Sequence, residues 1–191
     1  MKRIALLIVF LTGASFLFAQ QFYTVKNPNQ VKSEGNPRPA AQLEADKSQA
    51  IACLASIKDY MKANGPDKTI QEINKGRQGT FAKQLPASHF YLSMSKKKGA
   101  TGWPIVAHGS NPALVGFDVP DVGVFMDNTG WKYLTDLFSK IDKSKIGVVD
   151  GLLWADPEWS GGKKCRMTAY NTFIASGSDE YWLYFAVWQD A

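Results

Sequence analysis

Val106-Ala107-His108-Gly109, Asn111-Pro112-Ala113-Leu114-Val115-Gly116, Asp127-Asn128-Thr129-Gly130-Trp131-Lys132-Tyr133 and Leu153-Trp154-Ala155-Asp156-Pro157 follow one another in that order between Trp103 and Pro157. The Asn-Pro and Asp-x-x-Gly pieces are turn formers, because short polar side chains and glycine satisfy or relax a reversing backbone. After the second turn, Leu134, Leu137, Phe138 and Ile141 recur at helical spacing and predict a helix over 131–141. Val148 to Trp154 then reads as a strand.

Upstream, residues 89–95 alternate, with Phe90, Leu92 and Met94 on one face and His89, Tyr91 and Ser93 on the other. A turn over 97–103 leads into a returning strand over 104–109. Further back, Leu43, Ala50, Ile51, Leu54, Ile57 and Met61 form one apolar stripe, which predicts a helix over 42–63. Asn64-Gly65-Pro66 ends it, since glycine suits the position after a helix and proline cannot continue one. A short helix follows over 69–75, with Ile70 and Ile73 inward. Downstream, strands over 164–174 and 181–189 close the chain. Long helix, hairpin, helix and three consecutive strands is an α+β order. It predicts an antiparallel sheet with the long N-terminal helix packed on one face.

Met1-Lys2-Arg3, the apolar run from Ile4 to Phe18, and Ala19 before Gln20-Gln21 read as a signal peptide over 1–19. The run is shorter than the roughly 20 apolar residues of a membrane span, and no cysteine follows it. The expectation is a periplasmic or secreted protein whose mature form carries no membrane anchor. Residues 20–40, with Asn27-Pro28-Asn29, Gly35-Asn36-Pro37 and Pro39, read as an extended leader of low ordering tendency. The domain proper is placed over 41–191.

Without Lys2 and Arg3 there are 20 basic and 17 acidic residues, a net charge of +3. That balance gives no footprint for nucleic acid. Lys96-Lys97-Lys98 reads as a solvated hairpin tip. Nucleophile elbows and phosphate loops are missing, two distant histidines make no metal set, and no haem-attachment motif occurs. No enzyme activity, cofactor or metal is expected.

The motifs quoted above resemble the single Cache domain of type 2, an extracytoplasmic sensor family. Its members run "v-x-A-H", "N-P-x-L-x-G", "D-x-x-G-k", a helix and "G-x-V-x-Y-x-W-x-x-P". The resemblance spans about residues 42 to 189. It implies a PAS-like sheet with a small-molecule pocket on the face opposite the helix, under the connecting loops. Trp154 matches the tryptophan of "W-x-x-P", which lines the family's pocket, although an ordinary core role fits as well. His108 matches "A-H" and would either bond a ligand carboxylate or cap its loop. The chain departs from the family where Val148, Gly151 and Ala186-Val187-Trp188 stand in place of its usual aromatics and glycine.

On the strand over 164–174, Cys165, Met167, Ala169 and Phe173 share one face, which is expected against the long helix. Arg166, Thr168, Tyr170 and Thr172 share the other, which reads as a pocket wall or as a face toward water. The guanidinium fork of Arg166 matches a carboxylate bidentately. Tyr170 and Tyr91 would add hydrogen-bonding walls and Trp154 an apolar lid. Cys53, on the inward helix face, and Cys165 would meet if bridged, closing a loop of about 110 residues worth on the order of 4–5 kcal/mol; otherwise both are free thiols.

Two functions fit. One is a sensor that binds a small organic acid or amino acid and reports to a membrane receptor or kinase. The alternative is an extracytoplasmic protein-interaction module with a degenerate pocket.

Overall fold

Pro39, Gly65 and Pro66 set the limits of the longest helix. The computed structural model describes residues 21–81, 90–100, 102–117, 126–155 and 160–190. In it α1 spans Ala40–Asn64 and α2 spans Pro66–Asn74. Between them Gly65, at φ 82°, turns the chain and donates its N–H to Met61 O at 2.8 Å. Ala50, Cys53, Leu54, Ile57 and Met61 are buried along α1, as the stripe predicts. Asp46 is buried with them, and Arg38 neutralises it at 2.6 Å. A buried carboxylate without such a partner would be strongly destabilising.

The strands are β1 (Phe22–Lys26), β2 (Phe90–Lys96), β3 (Ile105–His108), β4 (Ile146–Ala155), β5 (Lys164–Ser176) and β6 (Asp179–Trp188). They form one sheet in the order β1-β4-β5-β6-β2-β3. Five strands pair antiparallel, while β1 adds to the edge of β4 in parallel. The α+β reading holds, with two differences. First, the leader is extended but pinned: β1 joins the sheet, Glu34 N–H donates to Lys164 O at 2.8 Å, and Arg38 N–H donates to Gln189 O at 3.0 Å. Tyr23 and Val25 of this segment pack on the sheet. Second, α3 (Tyr133–Ser139) lies on the face away from α1, so both faces of the sheet are covered.

Two cores result. On the α1 face, the α1 stripe meets Leu92, Met94, Tyr170, Leu183, Phe185 and Val187. On the α3 face, Leu134 and Leu137 meet Val149, Leu152, Met167, Ala169 and an aromatic layer. In that layer Trp103, Phe138, Phe173 and Trp182 lie edge-on or tilted, with centroids 5.5–6.3 Å apart. Such pairs add about 0.5–1.5 kcal/mol each beyond area burial. A close approach locks β1 beside α3: a Cβ on Gly147 would lie 2.5 Å from the Tyr23 hydroxyl and 2.9 Å from Leu137.

The pattern on β5 is correctly read as alternating, but its two faces are exchanged. Tyr170 packs on the α1 side, whereas Cys165, Met167, Ala169 and Phe173 pack on the α3 side. Polarity could not distinguish the faces, because both are buried. The exchange also removes the bridge considered between Cys53 and Cys165. The sheet separates them, and both are free, buried thiols. Burial pushes Cys53 up to about 12. Thiol titration of unfolded, unreduced protein should return two reactive groups per chain; none would contradict this packing.

Candidate functional site: a groove beside the long helix

Four strands carry a row of side chains across the α1 face. The pairing places Lys26 beside Asp150, Asp150 beside Thr168 and Thr168 beside Val187. A second row runs Thr24, Val148, Tyr170. The bulge at Gly151, at φ 80°, makes this possible. It inserts one residue between Asp150 and Leu152, so Asp150 stays on the α1 face while Leu152 and Trp154 join the α3 core.

The two rows floor a groove of about 470 Å³. Leu43, Glu44 and Lys47 of α1 wall it, and Phe22 and Gln189 complete its ends. The floor is ordered by hydrogen bonds. Thr168 Oγ1 donates to Asp150 Oδ1 at 3.0 Å, and Gln189 Nε2 donates to the same oxygen at 2.9 Å and to Thr168 Oγ1. Tyr170 is buried against α1, which pushes its phenol up to about 12. Two cations, Lys26 and Lys47, and two anions, Glu44 and Asp150, line the groove.

Among the described side chains expected to bind ligand, Tyr170 lines this groove and Arg166, Trp154 and His108 do not. Arg166 lies on the same face beyond its floor, and its fork is filled by the protein itself. Nε and Nη2 donate to the two oxygens of Asp190, each at 2.9 Å, and the backbone N–H of Arg166 adds a third bond at 3.1 Å. The carboxylate anticipated against this guanidinium is therefore internal, and Asp190 is fully buried beneath it. Trp154 packs with the α3-side core, so it does not converge with Arg166 and Tyr170. The backbone of Tyr91 pairs with Ala186, and its side chain lies outside the described residues.

His108 sits on the far edge strand and caps its loop. Its Nδ1 accepts from Asn111 N at 2.8 Å and Ser110 N at 3.2 Å, and its own N–H donates to Asn74 Oδ1 at 2.9 Å. Asn111 Oδ1 in turn accepts from Ala113 N at 3.1 Å, closing the Asn-Pro turn. The Asp-x-x-Gly motif is likewise structural. Asp127 accepts from Thr129 N and Oγ1, Trp131 N, Asn27 Nδ2 and Leu153 N, which ties the loop to both β1 and β4.

Asp150 and Gln189 of the groove floor were not singled out from the sequence. Their signal was a polar residue set inside or beside an apolar strand: Asp150 within Ile146–Leu153, and Gln189 directly after Trp188. Lys26 carried none, since its place at the groove depends on β1 joining the sheet.

No family model and no curated protein sequence matches the chain. Its fold is similar to solved Cache sensor domains. One is a Cache chemosensory domain described for carboxylic acid recognition, at 16% identity and TM-score 0.46, covering 80% of this chain and 100% of that one. A second is the periplasmic sensor domain of a chemotaxis protein, at 15% identity and TM-score 0.47, covering 78% and 94%. A third is a methyl-accepting chemotaxis protein from Vibrio parahaemolyticus, at 12% identity and TM-score 0.46, covering 75% and 87%.

Burial holds His108 down at about 4, against an ordinary value near 6.5. A histidine neutral when folded and protonated when unfolded contributes stability above about pH 6.5, which is lost as the pH falls toward 4. Urea unfolding should therefore show a loss on the order of 2 kcal/mol from this residue between pH 7 and 4.5. His108→Gln should flatten that part of the profile; an unchanged slope would contradict the assignment.

Proposed function

We propose that the protein is an extracytoplasmic sensor domain that captures a small metabolite in the groove beside α1. The observation that carries this reading is the ordered polar floor of Asp150, Thr168 and Gln189 in an open groove. A side-chain set buried for stability alone would be covered, whereas this one is held in a fixed geometry and left facing a cavity large enough for a metabolite. The resemblance noted in the sequence favours a sensor. The basic segment, apolar run and small residue over 1–19 support export with cleavage after Ala19, which the intact mass of exported protein reads directly.

A carboxylate-bearing ligand fits the groove through Lys26 and, on the wall, Lys47, a part-exposed side chain paired with Glu44 at 3.4 Å, rather than through Arg166, whose fork Asp190 already fills. Reporting to a membrane receptor or kinase follows from the sensor reading.

Thermal-shift screening of the chain from Gln20 onward against organic acids and amino acids tests the proposal. A ligand at 100 times its Kd adds about 2.7 kcal/mol. For a domain of this size that raises the melting temperature by about 5–10 °C. Absence of any stabilising compound, with capture of a protein partner instead, would favour an interaction module.

A further inference from the structure

The sheet ends in two edges, and the described residues cover only one of them. On the outer side of β3, Ile105 N–H donates to Phe117 O at 2.9 Å and Gly116 N–H donates to Ile105 O at 2.8 Å, so a loop closes that edge. β1 forms the other edge. Ile146 N–H donates to Gln21 O and Asn27 N–H donates to Asp150 O, so the odd-numbered residues of β1 turn their backbone groups toward β4. Phe22, Thr24 and Lys26 turn theirs outward, and among the described residues nothing bonds them. Their side chains are exposed as well, and Phe22 is open to 42%. An uncovered edge of this kind is a template for another strand.

We infer that β1 pairs antiparallel with β1 of a second copy of this chain, about a two-fold axis through Thr24. The strand fits itself in this register. Thr24 stands opposite the partner's Thr24, and Phe22 stands opposite the partner's Lys26, so every outward N–H and C=O of Phe22, Thr24 and Lys26 is bonded. On the other face Tyr23 stands beside the partner's Val25, an aromatic and β-branched pair of the kind that stabilises sheets. Other registers fit less well. Sliding the partner one way sets Phe22 against Pro28, which has no N–H, and then Lys26 against Lys26, a like-charge pair. Sliding it the other way leaves Lys26 opposite residue 20, beyond the strand.

An axis normal to the sheet keeps the α1 faces of both copies on one side, so the two grooves lie next to each other. Lys26 at the edge of one groove then has the partner's Phe22 beside it, and each copy supplies a wall to the other's groove. The interface stands on the edge geometry and does not depend on what the groove binds.

Sedimentation of the chain from Gln20 onward tests the pairing. So short a strand contact is a small interface, so the dimer should grow with concentration and dissociate on dilution. Thr24→Pro removes an outward N–H and no bond to β4, a change that an edge strand tolerates. This variant should keep its melting temperature and stay monomeric where the parent chain is dimeric. Thr24→Cys tests the register separately. Opposed residues of a bonded antiparallel pair have Cα atoms about 5.5 Å apart, within disulfide reach, and Cys53 and Cys165 are buried. Mild oxidation should link Thr24→Cys chains to each other. Phe22→Cys alone and Lys26→Cys alone should stay unlinked, because the register sets each about 14 Å along the strand from its own copy. A parent chain that is monomeric at every concentration, with or without another protein's strand on this edge, would overturn the inference. So would a Thr24→Pro variant that still dimerises, or linking through Phe22→Cys in place of Thr24→Cys.

Discussion

A strand covered on both faces must find a partner for every polar atom it carries, because an unpaired buried donor or acceptor costs about 1–3 kcal/mol. β5 is such a strand, and it carries Arg166, Thr168 and Asn171. Asn171 bonds Gly147 O and Ala169 O and accepts the Trp182 indole N–H. Arg166 is closed by Asp190, and Thr168 by Asp150 and Gln189. These demands reach into β4, into β6 and past its end, and they fix the register around the groove. The bulge at Gly151 answers the same constraint, since it keeps Asp150 level with Thr168 while returning Leu152 to the α3-side core.

The groove exists because the sheet is wider than its cover. α1 lies across β5 and β6, and β4 and β1 extend beyond it on that face. The pinned leader supplies that extra width, and with it Phe22, Thr24 and Lys26. On the other face, α3 and the aromatic layer pack against the sheet, and Asp127 holds their loop with five accepted bonds. The Asp127 turn and the His108 loop thus act as architecture, the first beside the α3-side core and the second at the far edge of the sheet.

Period and punctuation made the fold legible. The α1 stripe, the Gly65-Pro66 break and the alternation on β2 and β5 all appear where the residues indicate. Legibility failed where chemistry, not period, had to decide. Arg166 and Tyr170 were correctly placed on one face, but nothing local says which layer covers that face when its polar groups find partners within the protein. Arg166 looked like a ligand anchor because its partner, Asp190, lies 24 residues away and only the β5–β6 register brings the two together. Thr168 shares a polar face that reads equally as pocket wall or as a face toward water, and Asp150 sits in an apolar strand whose bulge no local residue announces. The contribution of β1 was hidden by the prolines and asparagines that follow its five strand residues.

The central claim is that small molecules enter on the α1 face. Backbone amide shift mapping during titration with a stabilising organic or amino acid tests it most directly. The account predicts shifts centred on Thr24, Lys26, Asp150, Thr168 and Gln189, with Trp103, Tyr133 and Trp182 nearly still. Shifts centred on those three aromatics, with the groove unchanged, would contradict it and place the ligand on the opposite face of the sheet.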